Sequence, residues 1–172
     1  MQEESKLGSF ERAVLPHLDA AYNLARWLTR NDHDAEDVVQ EAYLRAFRSF
    51  DGFHGTDGRS WMLTIVRNTC YTWLRQSHPE QLSTPFDEEI HSEEVASPNP
   101  EELLLQNAGR QQLQNALEEL PAEFREALVL RELEGLSYKE IADVAGVPVG
   151  TVMSRLARAR DRLKDALSRV RE

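Results

Sequence analysis

Hydrophobic positions recur every three to four residues along most of this chain, and alternating, β-branched runs bounded by turns are missing. This spacing is typical of amphipathic α-helices and not of strands. Proline and glycine mark the boundaries between the periodic segments, and Pro16 permits a break inside the first. We therefore expect an all-α fold, with helices over about residues 10–29, 34–50, 60–75, 101–119, 122–134, 137–145 and 149–168.

The second predicted helix has a start signal and a buried face of its own. Asp34 is the predicted N-cap, with Asp37 at the third helical position, because a short carboxylate accepts hydrogen bonds from the free amides of the first turn. A glycine-rich loop at 51–58 ends the helix. The apolar residues predicted to share one face are Ala35, Val39, Ala42, Ala46 and Phe50.

Charge and proline content divide the chain into two blocks. No lysine or arginine occurs between Arg75 and Arg110, whereas several acidic residues and four of the seven prolines do. Proline removes helical hydrogen bonds and like charges repel, so roughly residues 77–100 are predicted to be an extended, mobile connector. The predicted organisation is a small helical domain at 1–76, an acidic linker at 77–102 and a second small helical domain at 103–172.

Composition narrows the class of protein. The chain has 172 residues and a net charge of −10, and its hydrophobic fraction of 41% is enough to fill compact cores. It contains no apolar stretch of about 18 residues, which excludes a membrane-spanning helix, and its first residues lack the pattern of a secretory signal. Its single cysteine, Cys70, excludes an internal disulfide and a cysteine-rich zinc site. These features predict a soluble, cytoplasmic protein without membrane insertion.

A helix-turn-helix pattern lies near the C-terminus. Ser137 and Glu140 have the spacing of a capping box, in which each side chain accepts a hydrogen bond from the other residue's amide. Gly146 permits the left-handed conformation that ends a helix in a sharp turn, and Pro148 suits the first turn of the next helix. A short helix, a glycine-containing turn and a longer helix are the parts of a helix-turn-helix.

The longer helix combines an apolar face with a basic one. Seven basic residues accompany three acidic ones between Val149 and Glu172. Guanidinium groups on such a helix pair with guanine edges or phosphates, and Gly150 allows close approach of a backbone. The alternative is an ordinary amphipathic helix with a solvated basic face. The predicted packing face is Val152, Leu156, Ala159, Leu163, Ala166 and Val170, and the predicted DNA-contacting residues are Val149, Gly150, Thr151, Ser154, Arg155, Arg158 and Arg162.

The helix predicted over 60–75 places aromatic and basic residues side by side. Its apolar stripe is Met62, Val66, Cys70 and Trp73. Basic groups interleaved with aromatic rings suit single-stranded DNA, because arginines follow phosphates while rings receive unstacked bases. The alternative is that Trp61 and Trp73 are simply core residues. The predicted polar side is Ser60, Thr64, Arg67, Asn68, Tyr71 and Arg75.

Motifs in both blocks resemble one family, the bacterial extracytoplasmic-function (ECF) sigma factors. Three segments resemble its C-terminal domain, which reads the promoter −35 element: 120–127 (LPAEFREA), 135–142 (GLSYKEIA) and 150–160 (GTVMSRLARAR). A fourth segment, 34–47, contains DAEDVVQE and RAF and resembles the part of the family that binds core polymerase. A fifth segment, 61–68 (WMLTIVRN), resembles the family's helix that engages the −10 element.

The resemblance implies an alternative sigma factor that directs promoter-specific initiation and aids promoter melting. The implied partners are core RNA polymerase, promoter DNA and an anti-sigma factor. The residues implied in polymerase binding are Asp37, Gln40, Glu41, Leu44, Arg45 and Arg48, although periodicity alone favours a solvated charged face there. The residues that the resemblance implies in binding the −10 element are Phe53, His54, Arg59, Trp61, Thr64, Arg67, Asn68, Tyr71 and Arg75.

The sequence contains no convincing motif for a catalytic site. The glycines at 52–58 lack the lysine and the preceding strand of a phosphate-binding loop. Cys70 lies on an apolar stripe, which favours a buried structural thiol, and the five histidines show no metal-ligand spacing. We therefore predict no enzymatic activity, no cofactor, no metal and no small-molecule substrate. The competing class is a helix-turn-helix repressor or response-regulator output domain, which needs a ligand or phosphorylation module in the first block.

Overall fold

The computed structural model describes residues 2–53, 57–82 and 109–171. Within these ranges there is no β-strand, which confirms the predicted all-α class, and none of the helices combines the length and the hydropathy of a membrane-spanning segment. Short 3-10 turns cover Leu15–His17, Phe50–Gly52 and Pro79–Gln81, and a π-helical turn covers Val129–Leu133. The α-helices are α1 (Gln2–Val14), α2 (Leu18–Thr29), α3 (Asp32–Ser49), α4 (Gly58–Ser77), α5 (Arg110–Glu119), α6 (Ala122–Leu128), α7 (Tyr138–Ala145) and α8 (Val149–Arg171).

The main segment of the first compact unit runs to Ser77 and contains α1 to α4. Helices α2, α3 and α4 pack against one another, and α1 contacts α4. Pro16 lies in the 3-10 turn between α1 and α2, which confirms the predicted break. Removal of apolar side chains from water is the main force that holds such a unit together. Its fully buried side chains include Phe10, Leu24, Leu28, Ala42, Met62, Leu63, Val66 and Leu74.

Helix α3 begins earlier than predicted, and its cap is Asn31. The Asn31 side chain accepts a hydrogen bond from the Asp34 amide at 3.0 Å, so the prediction of Asp34 as the N-cap is wrong. Asp32, which lies between them, is ion-paired with the Arg26 guanidinium. Val39 is half-buried, because the buried face runs instead through Ala35, Val38, Ala42 and Ala46.

The second compact unit begins at His78 and is built mainly from α5 to α8. Helix α8 packs on α5 and α6. Gly135, with a φ of 68°, adopts the left-handed conformation in the turn before α7, at a predicted break. The buried side chains of this unit include Phe124, Leu130, Leu136, Ile141, Val152, Leu156, Ala159 and Leu163.

A fully buried arginine on α6 holds the end of α5. The Arg125 guanidinium donates to the backbone carbonyls of Glu118 and Leu120, at 3.2 and 2.7 Å, and to the Gln81 side chain at 3.3 Å. The last carbonyls of a helix have no partner within it, and a nearby cation also opposes the negative end of the helix dipole. Arg125 therefore acts as a C-terminal cap supplied by the next helix.

The predicted linker at 77–102 lies mostly outside the described residues, from 83 onward, so its extent stays a prediction. Its first residues are not extended as expected, because α4 continues to Ser77 and a 3-10 turn follows at Pro79–Gln81. Proline fixes the φ that such a turn needs at its first position, and the Leu82 amide donates to the Pro79 carbonyl at 3.2 Å. The expectation of an extended chain is therefore wrong for 77–81.

Candidate nucleic-acid interface

The predicted helix-turn-helix forms through the expected local contacts. The Ser137 hydroxyl accepts from the Glu140 amide at 3.1 Å, and the Glu140 carboxylate accepts from the Ser137 amide at 2.9 Å, which confirms the capping box. Gly146 has a φ of 68°, and the Val147 amide donates to the Ala142 carbonyl at 3.1 Å. These contacts close α7 and turn the chain toward α8.

Pro148 sets the start of α8 from a position just before the helix. Its carbonyl accepts from the amides of Thr151 and Val152 at 3.0 and 3.2 Å, so it precedes the first turn rather than lying within it as predicted. The predicted packing face is buried from Val152 to Ala166, whereas the Val170 side chain lies outside the description. This burial fixes which side of α8 faces outward.

The predicted DNA-contacting residues of α8 differ in exposure. Arg155 is only 8% exposed. A Cβ added at Gly150 would find nothing within 4 Å, so this position leaves room for a close approach. The Arg162 guanidinium lies over the Phe124 ring at 4.9 Å, which holds that cation at the surface. Val149, Gly150 and Arg162 are exposed, and Thr151, Ser154 and Arg158 are half-buried.

The first turn of α4 is fixed by a capping aspartate. The Asp57 carboxylate accepts from the Ser60 amide at 3.1 Å, and this hydrogen bond lowers the pKa of Asp57. The Thr64 hydroxyl donates to the Ser60 carbonyl at 2.7 Å, one turn further along. The cap orients the residues that follow it, Arg59 and Trp61, both of which are half-buried.

Three aromatic side chains lie close together at the start of α4. The ring centroid of Phe53 lies 4.8 Å from that of Trp61 and 5.9 Å from that of Phe50. All three side chains are half-buried, so a partly exposed aromatic surface remains beside the helix start. Such a surface can stack on an unpaired base. His54, predicted to act with these rings, lies outside the described residues.

The polar side of α4 forms only in part. Asn68 and Arg75 are exposed, and Arg67 donates to the Asn68 side chain at 3.4 Å. Tyr71 is 5% exposed, so the prediction that the polar side presents it is wrong. The Arg67 guanidinium lies over the Tyr71 ring, 4.0 Å from its centroid, and covers it.

The residues predicted to bind polymerase lie on α3. Leu44 is 50% exposed among charged neighbours. Arg45, which is half-buried, forms an ion pair with Glu41 at 3.0 Å, a contact worth at most about 1 kcal/mol at a surface. A groove of about 280 Å³ between α3 and α4 includes Asp37, Glu41 and Trp73 in its lining. The exposed members of the predicted set are Asp37, Gln40, Glu41, Leu44 and Arg48.

The surfaces of α4 and α8 present the groups that bind nucleic acid: guanidinium, hydroxyl, amide and aromatic groups. Among the described residues no three His, Cys, Asp or Glu side chains are grouped as a metal ion would need. Cys70 is buried, as predicted for a structural thiol.

Comparisons with known proteins match both halves of the chain. The family model for Sigma-70 region 2 matches residues 13–79, and the model for Sigma-70, region 4 matches residues 110–163. The ECF RNA polymerase sigma-E factor of Escherichia coli (strain K12) is 40% identical over 136 residues, which are 74% of this chain and 71% of that protein. The chain belongs to the ECF RNA polymerase sigma factor family. The resemblance inferred from the motifs is thereby confirmed.

Other proteins similar to this ECF sigma factor extend the match. The ECF RNA polymerase sigma factor SigE of Mycolicibacterium smegmatis is 36% identical over 167 residues, which are 97% of this chain but only 65% of that protein. The sigma factor RpoE of Bartonella quintana, solved with the anti-sigma factor NepR, is 31% identical with a TM-score of 0.69 over 93% of this chain and 97% of that one. CnrH, solved with the cytosolic domain of CnrY, is 25% identical with a TM-score of 0.66, and the match covers 95% of this chain and 90% of CnrH.

Two residues that organise this sigma factor were missed by the sequence analysis. Gly58 is the buried first residue of α4, and a Cβ there would lie 2.4 Å from the Ala13 carbonyl oxygen. Arg125 is the buried cap of α5. Both act through contacts between helices, which leave no periodic signal. The one available signal was the position of Arg125 inside a family motif.

Proposed function

We propose that this sigma factor binds core RNA polymerase and directs promoter-specific transcription initiation without catalytic chemistry of its own. In this proposal the exposed side of α3 docks on the polymerase, and the aromatic start of α4 captures unstacked −10 bases and aids melting. Helix α8 enters the major groove of the −35 element. The action takes place in the cytoplasm, where the polymerase is.

The observation that carries this proposal is the helix-turn-helix. Its capping box and its left-handed Gly146 turn the chain into α8, whose first turns present Gly150, Thr151 and Ser154 beside Arg158. N-terminal residues of a recognition helix contact base edges, and flanking cations contact phosphates. The aromatic and basic start of α4 in the other unit supports a second contact, with a single strand.

We also propose that an anti-sigma factor controls this protein. The support is that two similar proteins, the sigma factor RpoE and CnrH, were each solved with a bound protein, which for RpoE is named an anti-sigma factor. A partner of this kind would cover the faces that bind polymerase or promoter. The residues themselves do not identify it.

Reconstitution tests the proposed function directly. We expect sequence-specific run-off transcripts only when purified core polymerase, this chain and a library of promoter fragments are all present. The isolated chain is expected to bind promoters weakly, because its net charge of −10 opposes approach to phosphates. A helix-turn-helix repressor would bind DNA alone and would not replace the specificity subunit. Failure to form a complex with core polymerase would overturn the proposal.

Replacing Arg158 by alanine is expected to weaken −35 recognition by about 1–3 kcal/mol, because a guanidinium that contacts a base edge or phosphate is lost. The measurement is competition between promoter fragments for the holoenzyme, with core binding followed in parallel. Arg169→Ala, whose side chain is 73% exposed further along α8, is the matched control. Loss of core binding by the Arg158 variant would show that this surface is misassigned.

Replacing Leu44 by alanine is expected to weaken core binding about tenfold, since burial of a leucine side chain is worth about 1.5–3 kcal/mol when complete. The control is Leu15→Ala, because Leu15 is 49% exposed and Leu44 50% exposed, while Leu15 lies on the 3-10 turn after α1. Titration of labelled chain with core polymerase measures both. Equal affinities for the two variants would contradict docking through α3.

A further inference from the structure

Two exposed apolar side chains stand at the start of α8. Val149 is 40% exposed and Met153 is 42% exposed, and they are four positions apart in the helix, so they lie on the same side of adjacent turns. Residues on the core side of these turns, such as Val152 and Leu156, are about 1% exposed. The packing of α8 therefore does not require Val149 or Met153 to be apolar.

The surroundings of this pair limit what it can contact. Gly150, which lies next to Val149, leaves open space, and Ser154, which lies next to Met153, offers a hydroxyl. The apolar surface is therefore narrow and bordered by small or polar groups. In a recognition helix these first turns face the base edges of the major groove. The only apolar group on those edges is the C5-methyl group of thymine.

We propose that Val149 and Met153 contact thymine methyl groups in the −35 element and so select A·T pairs at those positions. The inference rests on the proposed function, and it assigns to Met153 a role in specificity that the arginines of α8 do not supply. Arginines pair with guanine, whereas an apolar pair discriminates through the methyl group alone. The −35 sequence is then read partly by hydrogen bonds and partly by burial of methyl groups.

The experiment removes the methyl group and nothing else. A promoter is first selected from a library with the reconstituted holoenzyme. Each −35 thymine, on either strand, is then replaced by deoxyuridine. Loss of a buried methyl is expected to weaken holoenzyme binding about fourfold at one or two positions, with no effect at the others.

Matched variants connect the lost methyl to the side chains. Met153→Gln has a similar length but a polar end, and it is expected to bind thymine and deoxyuridine promoters equally. Met153→Leu keeps an apolar side chain and is expected to retain the difference. Val149→Thr replaces one methyl by a hydroxyl with little change of shape, and is expected to abolish the difference at a separate thymine.

The outcomes separate this inference from the proposed function. Absence of any specific transcript with wild-type chain would overturn the proposed function, and this inference with it. Specific transcription with no A·T preference in the selected −35 element, or with no response to deoxyuridine, would overturn the inference alone. Loss of core binding by Met153→Gln but not by Met153→Leu would show that the patch contacts a protein, which would also overturn it.

Discussion

Replacing Arg125 by alanine is expected to destabilise the second unit by about 3–5 kcal/mol, a large share of the stability of so small a domain. The guanidinium is fully buried and donates to the carbonyls of Glu118 and Leu120. The substitution removes this donor from the end of α5 and leaves a cavity where the side chain lay. An unsatisfied buried carbonyl costs about 1–3 kcal/mol, so the loss at the buried Leu120 carbonyl is the larger of the two and the loss at the partly buried Glu118 carbonyl is the smaller.

Urea unfolding of the full chain can assign this loss to one unit. Trp27, Trp61 and Trp73 are the three tryptophans, and all precede His78, so their fluorescence reports the first unit. We expect an unchanged fluorescence midpoint and an earlier transition in the helical circular dichroism signal. Arg169→Ala, which breaks a 3.8 Å surface pair with Glu119, is the control and should change stability by less than about 0.5 kcal/mol. A wild-type dichroism curve for Arg125→Ala would contradict the capping role.

The features that the sequence predicted correctly are those determined within a few residues. The capping box needs only Ser137, Glu140 and the peptide between them, and the Gly146 turn needs only the absence of a Cβ. The buried stripe of α8 follows from its period. Helix type and position were therefore predictable, and the family motifs then gave the class of function.

The errors occurred where one side-chain contact decided between local alternatives. Asn31, Asp32 and Asp34 are all good capping residues, and the cap became Asn31 while Asp32 pairs with Arg26 from α2. Tyr71 belongs to the polar side by periodicity, yet the Arg67 guanidinium covers its ring. The Arg26–Asp32 pair joins two helices across a turn, which periodicity does not identify. Arg67 and Tyr71 are four residues apart on one helix, a spacing from which their contact could have been predicted.

Replacing Gly58 by alanine is expected to destabilise the first unit by about 3 kcal/mol, although glycine to alanine usually stabilises a helix by about 0.5–1 kcal/mol. The added Cβ would lie 2.4 Å from the Ala13 carbonyl oxygen and 3.3 Å from its carbonyl carbon. These are backbone atoms of α1, so no rotamer change relieves the clash, and α1 and α4 must move apart. The same movement would displace Arg59 and Trp61 at the start of α4.

Tryptophan fluorescence during urea unfolding measures this effect, because all three tryptophans lie in the unit that the substitution strains. Gly8→Ala is the control within the same unit, since its Cβ would meet only the flexible end of Arg12 at 3.6 Å, and it should stabilise α1 slightly. An increase of stability in both variants would show that α1 moves away from the added Cβ without loss of stability, and would contradict the prediction. With the expected loss in Gly58→Ala alone, the holoenzyme should melt promoters less well at temperatures where the unit is still folded, because the aromatic start of α4 is then held in a different place.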